Sequence, residues 1–335
     1  MNQCSGRPVA LFAMGRRNLP LLYDAAALRR LEELADVDTG VVVEDFADPA
    51  VAGRLAETEV LLTGWDCPPV DAAVLDRAPR LRAVLHAAGT VKGFLAPECW
   101  DRGVLVSSAT AANALPVAEF TVAAILWAGK DVLGFRDRYR AERTFTPGVL
   151  YPDVGNFRRR VGIVGASHIG RRVLDLLRPF DLDVALTDPY VTEAPPGVRL
   201  LELDELLLRS DVVSLHAPAN AQTRHLLDRH RLALIPDGGV LVNTARGSLV
   251  DTDALAAELA TGRISAVLDV TDPEPLPADS PLFDLPNAFL TPHIAGSQGN
   301  EIARLGAAVV DELARLLAGE PLAHEIRRSD LERIA

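Results

Sequence analysis

The chain has 335 residues, enough for two domains with separate cores, and 49% of them are hydrophobic against 5% aromatic, a balance expected where parallel strands alternate with helices. A formal net charge of −12 argues against nucleic acid or an anionic membrane as the main partner, but leaves room for a small anion held by a local cluster of cations. Three scattered cysteines, Cys4, Cys67 and Cys99, have no paired spacing, so a reducing cytoplasm is expected and neither a disulfide framework nor a zinc site is.

Val9–Met14 is a short apolar run before Arg16 and Arg17, too short for a spanning helix, and reads as the first strand. An amphipathic helix over Asp24–Ala35 and a strand at Gly40–Glu44 follow. Next come a helix near Pro49–Glu57, a strand at Val60–Thr63, a helix at Val70–Arg77 and strands at Leu81–His86 and Val104–Ser107. This is one α/β unit of flavodoxin-like rhythm. Ala112–Val132 reads as a single helix, apolar around most of its circumference, which must be buried between two bodies. Phe135–Arg160 holds many arginines, two prolines and several aromatics with no clear period, and reads as a long loop that reaches a partner subunit.

A second α/β rhythm begins at Arg160. Strands are expected at Val161–Val164, Asp183–Thr187, Val212–Leu215, Val240–Asn243, Ser265–Val270 and Ala288–Leu290. Helices are expected at Ile169–Leu177, Leu203–Leu208, Thr252–Ala260 and Gly299–Leu317, the last long enough to cross back to the first domain. His225 and His230, five apart, miss the spacing of a helical metal motif and read as helix-surface residues.

The stretch Val161–Gly170 is a strand, a glycine turn and a helix start. Gly165 permits the tight turn, Gly170 lets the helix pack close to the strand, and the free amides at the helix start favour a pyrophosphate. Ser167 stands where a G-x-G-x-x-G pattern has its middle glycine. It is small enough to keep the backbone near the phosphates and carries a hydroxyl able to donate to one, or else it weakens cofactor binding. Asp188 ends the next strand, where a ribose-binding acid belongs, and selects NAD over NADP by repelling a 2′-phosphate.

Three further segments follow strands: Asn243–Ser248 with Arg246, Asp272–Pro275 with Glu274, and Thr291–Gly296 with His293. Oxidising a 2-hydroxy acid needs a hydride acceptor, a base for the hydroxyl proton and a cation for the carboxylate. Arg246 supplies a planar, permanently charged fork, and His293 a group that exchanges protons near neutral pH. Glu274 would hold the imidazole in the useful tautomer and stabilise its protonated form.

With these residues in hand, the chain resembles the D-isomer-specific 2-hydroxyacid dehydrogenase family from about residue 81 to 318, most densely over Val161–Gly296. The carriers are Val161–Gly170, Asp188–Tyr190, Ser210–Pro218 with Thr223, Asn243–Asp251, Leu268–Leu276 and Leu290–Ser297. The resemblance implies that Arg246 binds the substrate carboxylate and carbonyl, with Glu274 and His293 as the acid/base pair. It implies that the Gly165 turn, Ser167, His168 and Ile169 meet the pyrophosphate, Asp188 the adenosine ribose and Asp269 the nicotinamide carboxamide. Ala217, Pro218, Thr223, Thr244 and Gly296 are further cofactor contacts on the same footing. It implies a two-domain α/β fold, a Rossmann-type NAD-binding domain (112–298) inserted into a flavodoxin-like substrate domain (1–111, completed by 299–335). The active site is then expected in a closing cleft, in a homodimer built around the long helix.

The loop from Ala88 to Lys92 departs from the family's Gly-x-Gly pattern. The resemblance assigns it to the substrate carboxylate, through Ala88, Gly89, Thr90 and Lys92. Lys92 is either a cation for a second anionic group, such as a phosphate, or a solvated lysine. No regulatory domain is expected after the crossing helix, and with it no allosteric serine-pathway enzyme. The expected activity is NAD-dependent reduction of a small 2-oxo acid resembling glyoxylate or hydroxypyruvate. An NAD-sensing scaffold of the corepressor type is an alternative. A formate- or phosphite-type dehydrogenase is another, though formate-type sites tend to carry glutamine where Glu274 stands.

Overall fold

Alternation decides how the strands are buried. In β1 (Val9–Ala13), Ala10 and Phe12 enter one hydrophobic core while Leu11 and Ala13 enter another on the opposite face. The same two-sided division runs through β3 (Val60–Thr63) and β4 (Ala83–His86), so these strands read as unbroken apolar runs. With β2 (Asp36–Val43) and β5 (Leu105–Ser108) they form a five-stranded parallel sheet in the order β2-β1-β3-β4-β5, the flavodoxin-like order. Leu305, Val309 and Leu313 of the Ala303–Ala318 helix complete one of its two cores.

A second parallel sheet contains β6 (Arg159–Val164), β7 (Leu182–Thr187), β8 (Val198–Leu200), β9 (Val212–Leu215), β10 (Val240–Asn243), β11 (Ser265–Leu268) and β12 (Ala288–Leu290). Its order is β12-β11-β10-β9-β6-β7-β8. Counted from β6, that is the doubly wound dinucleotide-binding order with a seventh strand added at one edge. The structure, a computed structural model, describes residues 6–145, 151 and 153–331. The chain divides into two compact units, Met1–Asn113 with Ser297–Ala335, and Ala114–Gly296.

The long helix runs over Thr110–Gly129, shorter at its end than the sequence pattern suggests. By length and composition it could cross a membrane, but Ala118, Val122 and Ile125 pack into the second unit's core with Val161 and Ile163. It is a core helix. After Lys130 the chain turns through Asp131, whose φ of 46° is left-handed, into a further helix, Val132–Glu142. The expectation of an irregular loop from Phe135 is therefore wrong over its first part. None of this helix's residues is buried, so it has no apolar stripe to read. Side-chain contacts support it instead: Arg138 pairs with Asp131 at 2.8 Å and lies over the rings of Phe135 and Tyr151. Residues 146–150 and 152 of the expected loop, like Cys4, fall outside the described residues.

His225 is not on a helix surface. It sits in a turn with φ of 49°, its backbone N–H donating to the Ser248 carbonyl, while His230 lies on the short helix Arg229–Leu234. That helix and β8 are too short, at six and three residues, to show a period in sequence.

One buried group in the first unit is poorly served. Tyr23 packs edge-on against Phe12, with ring centroids 5.3 Å apart, but its hydroxyl is buried with no hydrogen-bond partner among the described residues. Burial pushes its phenol far above the usual range. Tyr23→Phe should therefore leave stability unchanged or raise it by about 1 kcal/mol, read from the midpoint of urea unfolding; a clear loss would mean that the hydroxyl has a partner in solution.

Candidate active site

The candidate site gathers at the carboxyl ends of the second sheet, where ligands of doubly wound folds sit. β6 ends in Val164 and turns at Gly165, whose φ of 100° is left-handed. A Cβ there would lie 2.6 Å from the backbone nitrogen of Ala217, so only glycine fits beneath the loop that carries Ala217 and Pro218. Ser167 caps the His168–Leu177 helix, its Oγ accepting from the Gly170 N–H at 3.3 Å. The hydroxyl that replaces a glycine thus holds the helix start. The amides of His168 and Ile169, in the helix's first turn, have no partner within the helix, which is how a helix start becomes able to meet an anion.

Asp188, just beyond β7, accepts from the Ala166 N–H at 2.7 Å and from the Tyr190 N–H at 2.8 Å. Each carboxylate oxygen keeps a further lone pair, and the group is anchored directly to the glycine turn. The Thr223 hydroxyl donates to the Pro218 carbonyl at 2.6 Å and accepts from the Asn220 N–H at 3.0 Å, closing the loop after β9 on itself. Beneath the cradle, His216 is buried and bonded to Ser214, and burial pushes its imidazole down to about 3. It is therefore neutral. A cradle that a single Cβ would fill, free helix amides and a tethered carboxylate fit a dinucleotide.

Arg246 lies three residues past β10 and is half-buried. Burial lowers its guanidinium below the usual arginine range, and the charge of Glu274 opposes that shift. It donates to the Ala245 carbonyl at 2.6 Å and makes no ion pair among the described residues, so several donors remain for an anion. Asn243 braces this strand end: its amide donates to the Arg246 carbonyl at 2.9 Å and its oxygen accepts from the Ala245 N–H at 3.1 Å. Gly247 then meets the backbone of the next loop, since a Cβ there would fall 2.0 Å from the Thr271 carbonyl. Only a glycine lets the chain carrying Glu274 approach Arg246 so closely.

His293 Nδ1 is 2.7 Å from Glu274 Oε1. A carboxylate only accepts, so the proton sits on Nδ1 and Nε2 is left as the nitrogen that can take or give a proton. The backbone of His293 is left-handed, φ 54°, and Asp269 holds it there. Asp269 is buried and its carboxylate accepts from the Thr291 hydroxyl at 2.6 Å, the Ile294 N–H at 2.7 Å and the Ala295 N–H at 2.9 Å. Its backbone carbonyl accepts from the His293 N–H at 2.9 Å.

Arg246, Glu274, His293 and the cofactor candidates from Gly165 to Gly296 all belong to the second unit. Ala88, Gly89, Thr90 and Lys92 follow β4 in the first, Ala88 buried and Thr90 and Lys92 exposed. Sequence reasoning missed Asn243, Thr252 and Asp272. Thr252 donates to the Asp272 carbonyl at 2.6 Å and Arg224 pairs with its carboxylate at 3.3 Å, which together anchor the Glu274 loop. For Asn243 a signal existed, because an asparagine at a strand end often closes a turn through its own side chain.

Residues 122–295 match the model of the D-isomer specific 2-hydroxyacid dehydrogenase, NAD binding domain. The chain belongs to this family. It is 33% identical over 305 residues to a glyoxylate reductase of Korarchaeum cryptofilum, covering 88% of this chain and 90% of that protein. It is 36% identical over 255 residues to the D-3-phosphoglycerate dehydrogenase of Mycobacterium bovis, covering 75% of this chain and 48% of that protein. The match thus spans about half the length of that longer relative. Among solved structures, the TT0316 protein of Thermus thermophilus superposes with a TM-score of 0.73 at 31% identity, covering 95% of this chain and 99% of that one. The family's NAD-binding domain corresponds to the second unit, with its glycine cradle and Asp188.

Asp269→Ala should cost on the order of 3 kcal/mol, because three donors lose a buried charged acceptor, and should release the His293 loop. Urea unfolding with NADH titration checks this; a stable variant with an undisturbed pH–rate profile would show that β11 and β12 hold His293 without it.

Proposed function

We propose that this chain is an NAD-dependent D-2-hydroxyacid dehydrogenase working as a 2-oxoacid reductase on a small acid of the glyoxylate or hydroxypyruvate kind. The observation that carries the reading is the Glu274–His293 pair at 2.7 Å on the same strand ends as a half-buried Arg246 that makes no ion pair among the described residues. Bound NADH would supply the hydride to C2 of the oxo acid, and NAD would accept it in the reverse direction. Arg246 binds the substrate carboxylate and carbonyl oxygen and draws charge off that oxygen. His293 Nε2 donates a proton to the oxygen during reduction, or takes it from the hydroxyl during oxidation. Glu274 keeps Nδ1 protonated and stabilises the imidazolium that forms when Nε2 is also protonated. The glycine turn with Ser167, His168 and Ile169 would hold the pyrophosphate, Asp188 the ribose, and Ala217, Pro218, Thr223, Thr244, Asp269 and Gly296 the rest of the cofactor. Ala88, Gly89, Thr90 and Lys92 would bind the substrate carboxylate. The names of the two relatives support an oxo or hydroxy acid as substrate.

We also propose a homodimer in a reducing cytoplasm. A groove of about 490 Å³ runs along the exposed side of the long helix, past Phe120, Ala123, Trp127, Val132 and Phe289. Trp127 is 53% exposed there, an area of apolar surface that suits a second copy. Both described cysteines are free thiols.

His293→Ala should lower kcat by roughly a hundred- to ten-thousandfold, the span of general acid–base catalysis, while NADH affinity stays unchanged. Arg246→Ala should fall mainly on the KM for the oxo acid. Both are read by loss of nicotinamide absorbance against a panel from glyoxylate to phosphorylated acids. No turnover on any member, with NADH still bound, would sink the dehydrogenase reading. Trp127→Glu should shift the protein from dimer to monomer in light scattering behind size exclusion; a monomer before the change would refute the dimer.

A further inference from the structure

Thr121 lies on the buried side of the Thr110–Gly129 helix, fully excluded from solvent and close in sequence to Ala118, Val122 and Ile125 of the apolar core. Its Oγ1 is 2.8 Å from the Val117 carbonyl oxygen, one helical turn back, and 2.8 Å from Thr244 Oγ1. A hydroxyl has one proton to give and two lone pairs. The Val117 carbonyl only accepts, so the Thr121 proton goes to it, and Thr121 then accepts the proton of Thr244. That assignment satisfies both short contacts at once.

Thr244 sits between β10 and Arg246, on a strand end already braced by Asn243. With the backbone held, the freedom that remains is rotation of the Thr244 side chain and its hydroxyl, and the bond to Thr121 removes it. The Thr244 oxygen, its proton spent, offers only lone pairs. A valine at 121 would fill nearly the same space without burying a hydroxyl, so what the threonine adds is direction rather than packing.

We propose that Thr121 is a positioning residue of the cofactor site: it fixes the Thr244 hydroxyl as an acceptor, selecting a donor group, a hydroxyl or an amide N–H, of the bound nicotinamide nucleotide. This rests on the reading that Thr244 contacts the cofactor. The test compares Thr121→Val, Thr121→Ser, Thr244→Val and the double valine variant, each as the full chain. NADH dissociation constants come from nicotinamide fluorescence, and Tm is measured for each. Thr121→Val should weaken NADH binding roughly three- to tenfold, the scale of one neutral hydrogen bond, with at most the small drop in Tm that comes from leaving the buried Thr244 hydroxyl without its acceptor, a drop the double valine variant reverses. Thr121→Ser should restore affinity to within about twofold, and the double variant should bind no more weakly than Thr244→Val, because both changes remove one interaction. If Thr121→Val binds NADH as the unmodified protein does while Thr244→Val does not, the orienting role is overturned and the Thr244 contact stands. Should Thr244→Val also bind normally, the contact itself is wrong and the proposal falls with it. Additive losses accompanied by a lowered Tm that the double variant does not reverse would make Thr121 a packing residue and nothing more.

Discussion

Two consecutive backbone hydrogen bonds lace the candidate site together. The Asn243 carbonyl accepts from the Asp269 N–H at 3.0 Å, and the Asp269 carbonyl accepts from the His293 N–H at 2.9 Å. These bonds carry the ladders of β10, β11 and β12 beyond the last paired residues, so the strand ends cannot drift independently. The Asp269 carboxylate then gathers Thr291, Ile294 and Ala295 from the far side. A left-handed histidine is costly for a non-glycine residue, and this set of bonds over-determines it. The Glu274 contact depends on that backbone being where it is.

Close approach is the second constraint. Gly165 and Gly247 do different work at opposite ends of the site: one lets the loop after β9 lie over the turn after β6, the other lets the Thr271 backbone lie against the Arg246 loop. Both bring peptide groups or charged side chains to where an anion would be met. The surrounding electrostatics is local. A chain with net charge −12 still presents a half-buried arginine without an ion pair among its described residues, because the desolvation that lowers its guanidinium also strengthens any anion it meets.

Much of this was legible in the order of residues. Two-sided burial makes central parallel strands read as apolar runs, which is why Val60–Thr63 and Val212–Leu215 can be placed to the residue. The glycine turn, the acid after β7 and the arginine, glutamate and histidine after later strands announce a chemistry by type and position. The Val132–Glu142 helix was not legible, since it buries no side chain fully and its stabilising contacts are ion pairs and ring contacts at irregular spacing. His225 was misread for a related reason, because the backbone bond to Ser248 that fixes its turn leaves no trace in side-chain pattern.

The sequence by itself determined the α/β rhythm, the division into two sheet-forming stretches and the residue types able to bind a dinucleotide and move a proton. Those properties are local, written in periodicity, glycine placement and side-chain chemistry. Only the tertiary structure decided which groups meet: Glu274 with His293, Asp188 with the turn at Ala166, Thr121 with Thr244 across 123 residues of chain. Such pairings follow from strand order and from how closely backbones can approach, and neither is encoded at any fixed spacing along the chain.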